Sequence, residues 1–125
     1  MLSNVEPFEL DADPLDLNAL LIKDPPATFM VRVAGESMLG AGIAPGDILT
    51  VDKGLEPQND DIVLAIVDGA FTVKRLCLGS EVMLLSENPA YPPIRLAGEQ
   101  EMMIWGVVTG CIKQFKHPGQ RKPSR

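Results

Sequence analysis

Histidine is almost missing from this 125-residue chain: there is one, His117, in a polar C-terminal stretch. Its place argues against a Ser-His nucleophile pair in the body of the protein. Cysteine is scarce too. Cys77 and Cys111 are too few for a disulfide framework, and no Cys/His grouping has metal-ligand spacing. No metal and no cofactor is expected. No apolar run is long enough to span a bilayer. The N-terminus has no basic residue ahead of an apolar stretch, so no secretory signal is visible. These absences predict a soluble, cytoplasmic protein with reduced thiols and no membrane contact.

A basic excess is missing as well. The net charge is −6, which argues against a generic nucleic-acid binder and against direct sequence-specific DNA binding. The charge is uneven. Up to Ile112, six basic against 17 acidic residues leave −11, and five basic residues from Lys113 onward give +5. An acidic body suits a protein partner better than a phosphate backbone. The basic end reads as a solvated tail.

What remains is one domain with nearly half its residues apolar. Residues 1–15 form an acidic arm with Glu6, Glu9, Asp11 and Asp13, and are expected to be poorly ordered unless docked. Leu15 to Ile22 reads as one or two helical turns, stopped by Asp24-Pro25-Pro26. Phe29 to Val33, Ile48 to Val51, Ile62 to Val67, Ala70 to Leu76, Val82 to Leu85 and Met103 to Ile112 read as strands. Asp68-Gly69 between two of them is a hairpin signal. Gly40-Ala41-Gly42-Ile43 and residues 52–61 read as loops, and Asn88 to Ile94 holds too many prolines for a central strand. Gly106 and Gly110 are candidate bulges in the last strand. The class is mainly β with one short N-terminal helical segment, the domain spans 16–115, and 116–125 is a disordered basic tail. Trp105 and Tyr91 are assigned to packing, and the two cysteines to buried apolar positions.

Two residues carry candidate chemistry. Ser37 follows Val33-Ala34-Gly35-Glu36, where a strand ends and a tight turn can present a hydroxyl. Serine needs a base beside it, and a lysine can supply one. Lys74 lies 37 positions on, in Phe71-Thr72-Val73-Lys74-Arg75-Leu76. In a strand, Lys74 and Arg75 point to opposite faces, so one of them can face inward. A buried lysine is costly to keep charged: a pKa depressed by about 3 units means roughly 4 kcal/mol. A neutral amine could then act as general base toward Ser37. The plain alternatives are a serine that satisfies its own turn and a solvated strand lysine.

Taken in order, these segments resemble the UmuD branch of the LexA-type (S24) self-cleaving serine peptidases. Asp16-Leu17-Asn18, Gly35-Glu36-Ser37-Met38, Pro45-Gly46-Asp47, Val67-Asp68-Gly69, the lysine segment, Ala90-Tyr91-Pro92 and Gly106-Val107-Val108 carry the likeness, which runs from about Asp16 to Phe115. The resemblance implies a LexA/signal-peptidase-like β-rich peptidase fold and a homodimer. It implies Ser37 as nucleophile, Lys74 as neutral general base, and backbone N–H groups at or beside Ser37 as oxyanion hole. It also implies partners: a RecA–single-stranded-DNA filament that promotes self-cleavage at an Ala-Gly or Cys-Gly bond, and a UmuC-like translesion polymerase subunit in the SOS response.

The family's cleavable bond would fall at Met1 or Leu2 here. Ala34-Gly35 belongs to the serine turn, Ala97-Gly98 lies in a late polar loop, and Cys-Gly does not occur. The expectation is a protein in its shortened working form that lacks the usual self-cleavage site and serves a polymerase. The alternative is an active peptidase that cuts a longer relative in trans, or a non-standard site in its own arm. A signal-peptidase relative is a distant third, opposed by the lack of a membrane segment, and a β-domain with a decayed dyad and an unrelated role is the plain alternative.

Overall fold

A computed structural model describes residues 15–95 and 102–116. Its strands are β1 (Thr28–Arg32), β2 (Ile48–Asp52), β3 (Ile62–Val67), β4 (Ala70–Leu78), β5 (Val82–Leu85), β6 (Ile94–Arg95) and β7 (Met102–Ile112). They form one antiparallel sheet in the order β1-β2-β7-β3-β4-β5-β6. The chain is mainly β, as its sequence predicts. The helical segment is a single α-helix, α1 (Leu17–Leu21), capped by Asp16, whose carboxylate accepts from Ala19 N–H at 3.2 Å. Among the described residues no helix is long and apolar enough to cross a membrane.

The β3–β4 hairpin follows from its turn. Asp68 and Gly69 both have positive φ, 48° and 82°, as a two-residue turn matching the strand twist requires. Val67 then pairs with Ala70, and the register carries through to Val63 opposite Lys74 and Ile62 opposite Arg75. A one-residue slip would turn every side chain of β4 to the other face. The turn at residues 68–69 therefore decides which way Lys74 points.

β7 is the spine, pairing with β2 on one side and β3 on the other. Its register shifts opposite Thr50/Val51 and opposite Leu64/Ala65, next to Gly110 and Gly106. A Cβ at Gly106 would lie 2.7 Å from Val51 Cγ1 and 3.1 Å from Asp52 O, so only glycine lets β2 and β7 approach this closely. Two apolar clusters fill the fold. Met38, Ile43, Leu49, Val51 and Leu64 form one; Val63, Ala65, Leu76 and Leu84 form the other.

Several expectations change. The Gly40–Ile43 segment is ordered as a 3-10 turn, Leu39–Ala41, closed by Gly42 at φ 81°. Tyr91 is 42% exposed and is no core residue; it follows Asn88-Pro89-Ala90 in a turn whose Asn88 O accepts from Tyr91 N–H. Trp105 does pack, edge-on to Phe29 and Phe71, with Lys53 Nζ 4.5 Å from its ring centre. Neither cysteine is fully buried. Strand alternation gives the core position to Leu76 and leaves Cys77 beside it half-buried. Cys111 is exposed, with Sγ 3.5 Å from Asp47 Oδ2. Burial and that carboxylate push its thiol pKa up, which disfavours the reactive thiolate. The acidic arm and basic tail, apart from Leu15 and Lys116, lie outside the described residues.

Candidate active site

Ser37 sits where β1 leaves the sheet. Val33 still pairs with the Asp47 turn, donating to Asp47 O at 2.8 Å and accepting from Gly46 N–H at 2.8 Å. That turn is itself locked. The Asp47 carboxylate accepts from Lys113 Nζ and from Ala44 N–H at 2.9 Å. Those two contacts hold its pKa below the usual carboxylate range. Beyond Val33 the chain crosses Gly35 and Glu36, then re-enters the core at Met38, which is 2% exposed. Met38 O accepts from Ala41 and Ile43 N–H at 3.0 and 3.2 Å. The half-buried Ser37 is thus presented by a loop nailed down at its next residue.

Lys74 comes from the middle of β4 and is 7% exposed. Its Nζ lies 2.8 Å from Ser37 Oγ, 2.5 Å from Thr72 Oγ1 and 3.2 Å from Val73 O. The structure therefore brings together the two residues singled out in the sequence. Burial pushes the Lys74 pKa below the ordinary lysine range, because a low-dielectric surround disfavours the ammonium form. While charged, Nζ donates to Ser37 Oγ. Once it loses a proton, its lone pair faces the same oxygen, and the hydroxyl can donate instead.

A groove of about 460 Å³ opens beside the pair. Val31, Val33, Met38, Ile43 and Leu64 give it an apolar floor, Phe29 and Phe71 flank it, and Arg32, Gly35, Ser37 and Thr72 line its polar side. Among the described residues no group of His, Cys, Asp and Glu could hold a metal ion.

Thr72 was not singled out by sequence, although the signal was there. It lies two residues before Lys74, hence on the same strand face. Glu87 carries no local signal, and Asn88 enters the sequence reading as the start of the proline-rich segment, with no site role. Glu87 N–H donates to Ser37 O at 2.8 Å, and Asn88 Nδ2 donates to Glu36 O at 2.9 Å. A further Ala-Gly pair, Ala41-Gly42, also escaped the sequence reading. It ends the 3-10 turn, with Gly42 N–H donating to Leu39 O at 2.9 Å.

A hydroxyl that lines the groove and a desolvated amine 2.8 Å behind it, on a bulged antiparallel sheet, resemble the arrangement of Ser-Lys acyl-transfer proteins. Comparison with known sequences gives the family. Residues 4–109 match the Peptidase S24-like family, and the chain belongs to it. It is 49% identical over 104 residues to Protein SamA of Salmonella typhimurium, covering 83% of this chain and 72% of SamA. It is 46% identical over 104 residues to Protein ImpA of Escherichia coli, covering 82% and 70%. It is 37% identical over 105 residues to Protein MucA of Escherichia coli, covering 83% and 70%. These relatives put it in the UmuD-like branch of the family, the branch tied to the SOS response.

Proposed function

We propose that this chain is a UmuD-like accessory subunit of a translesion DNA polymerase, working as a homodimer in the cytoplasm, and that it keeps a usable Ser37-Lys74 dyad. Family membership supports the first part. The observation that carries the second is the 2.8 Å contact between Ser37 Oγ and a lysine that is 7% exposed.

Neutral Lys74 Nζ takes the proton of Ser37 Oγ as that oxygen attacks a peptide carbonyl carbon. Backbone N–H groups at or beside Ser37 stabilise the resulting oxyanion. The Lys74 ammonium then gives its proton to the leaving amine, the C–N bond breaks, and an acyl-serine remains. Water, deprotonated by the same amine, hydrolyses the ester and returns Ser37 to its hydroxyl form. Thr72 Oγ1 and Val73 O hold Nζ in place through both halves.

The dyad's substrate is a segment of another chain, such as a longer relative. Ala34-Gly35 is only two residues before Ser37 and forms part of its loop. Ala41-Gly42 is hydrogen-bonded into the turn just after it. Neither can fold its carbonyl onto Oγ at the ~3 Å that proximity catalysis requires. The apolar groove beside Ser37 suits an incoming extended segment.

Intact-mass spectrometry after incubation with RecA, nucleotide and single-stranded DNA, and separately at alkaline pH, tests the dyad. Mixed with a longer UmuD-like relative whose own nucleophilic serine is replaced by alanine, the wild type is expected to shorten that relative and Ser37→Ala to leave it whole. Cleavage that persists in Ser37→Ala would remove Ser37 from the reaction. Co-purification with a UmuC-like polymerase and a dimer mass in light scattering are expected from the first part; a monomer mass at micromolar concentration would refute the homodimer.

A further inference from the structure

Successive residues of a strand face opposite ways, and in β4 both directions lead back to the serine loop. From one face, Lys74 Nζ reaches Ser37 Oγ at 2.8 Å. On the other face, Arg75 Nε pairs with Glu87 Oε1 at 2.5 Å, and Arg75 Nη1 donates to Asp60 O at 2.7 Å. Glu87 and its neighbour Asn88 grip the loop at three points. Asn88 Nδ2 donates to Glu36 O at 2.9 Å, Glu87 N–H donates to Ser37 O at 2.8 Å, and Glu87 O accepts from Gly40 N–H at 2.6 Å. The loop lies directly on this clasp: a Cβ at Gly40 would come within 2.6 Å of Glu87 O. The contacts close a circuit, Lys74 to Arg75 by a peptide bond, Arg75 to Glu87 by an ion pair, Glu87 to Ser37 by a backbone hydrogen bond, and Ser37 back to Lys74.

We propose that Arg75 is a positioning residue, which holds Ser37 at its working distance from Lys74 through the Glu87-Asn88 clasp. The inference rests on the reading of Ser37 as nucleophile and Lys74 as base. A lysine and an arginine side by side then have one task between them. The first meets the hydroxyl, and the second anchors the backbone that carries it to the strand that carries the lysine. The Arg75 and Glu87 side chains are 29% and 34% exposed. Ion pairs with that much water access contribute little to global stability, so a merely structural Arg75 should be dispensable to the dyad's reactivity.

The test is the pH dependence of Ser37 acylation by a fluorophosphonate probe on the full chain. In Arg75→Ala and in Glu87→Ala, which keeps the backbone clasp but cuts its anchor, the high-pH plateau rate is expected to fall between tenfold and about a hundredfold. The pH midpoint, set by the burial of Lys74, should stay where it is. The double variant should be no slower than the single ones, because both break one link. Glu81→Ala, which removes the Arg95–Glu81 pair elsewhere on the sheet, should label like wild type. A wild-type plateau in Arg75→Ala, an additive double variant, or a midpoint raised toward that of an exposed lysine would overturn the proposal. If the wild type itself shows no Ser37-dependent labelling, the acyl-transfer reading fails separately, and amide hydrogen exchange decides this one. The Gly40 and Glu87 amides should then exchange at least tenfold faster in Arg75→Ala, with the β2 and β7 amides unchanged. Equal exchange in both proteins would refute the clasp.

Discussion

Replacing Lys74 by methionine should remove a pH-dependent stability cost, so the variant compares best with the wild type at low and neutral pH and loses ground in alkali. Lys74 is 7% exposed, and burial depresses its pKa in the folded state. Unfolded, it titrates near the ordinary lysine value of about 10.4. Below the depressed folded value both states carry the proton, and the folded state bears the full cost of a buried ammonium. Each unit of depression is worth about 1.4 kcal/mol. Between the two values the unfolded chain binds more protons than the folded one, so wild-type stability rises with pH, at a slope approaching about 1.4 kcal/mol per pH unit. Above about 10.4 both states are neutral and the cost is gone. Methionine has no proton to lose and fills similar volume. It also leaves Ser37 Oγ and Thr72 Oγ1 without their amine partner, which costs about 1 kcal/mol for a typical hydrogen bond. The measured quantity is the unfolding free energy of variant minus wild type, from urea melts at several pH values. Taking the difference cancels the groups present in both proteins. The difference should be most favourable to the variant at pH 6 and fall steadily as the solution becomes alkaline. A pH-independent difference would mean that Lys74 is not desolvated, and the case for a neutral general base would fall with it.

Three other outcomes follow from the same geometry. Thr72→Val keeps the shape of the side chain but removes the hydroxyl 2.5 Å from Nζ; a hydrogen bond to a charged group is worth about 1.5–3 kcal/mol, so Ser37-dependent labelling should slow roughly tenfold or more, and the urea midpoint should fall as well. Met38→Ala empties a 2%-exposed core position directly after Ser37 and should cost about 2–5 kcal/mol in urea unfolding. Gly106→Ala would push a methyl to within 2.7 Å of Val51 Cγ1 and should cost about 1–3 kcal/mol by overpacking, read as a lower urea midpoint.

The parts of the fold that could be read from sequence are those decided by neighbours in the chain. The Asp68-Gly69 turn needs two positive φ values and states that need in its own residues, so the β3–β4 register was legible, while which of Lys74 and Arg75 faces inward was left open. The run Ile62 to Val67 is one strand because it is apolar throughout and bounded by polar turns. Gly106 and Gly110 marked the places where β7 is bulged. Tyr91 and the cysteines were misread for the opposite reason. Residue type gives a preference for burial, but Tyr91 lies in a turn, Cys77 shares β4 with the Leu76 that takes the core position, and Cys111 follows the bulges that reset the face count along β7.

The candidate site divides along the same line. Lys74 is placed by a local hairpin, whereas Ser37 is placed by residues far from it in sequence. Its carbonyl is held by Glu87, fifty positions on, and the turn that receives Val33 is locked by Lys113. Contacts of that span leave no periodicity and no spacing to read. A base fixed by short-range pairing and a nucleophile fixed by long-range contacts also differ in what can move them. The hairpin is set by its own turn, while the serine loop depends on the clasp, on Met38 and on the Asp47 turn together. Substitutions that tune the dyad without unfolding the sheet should therefore concentrate on residues 33–47 and 86–88, together with Thr72 and Arg75 beside Lys74 on β4.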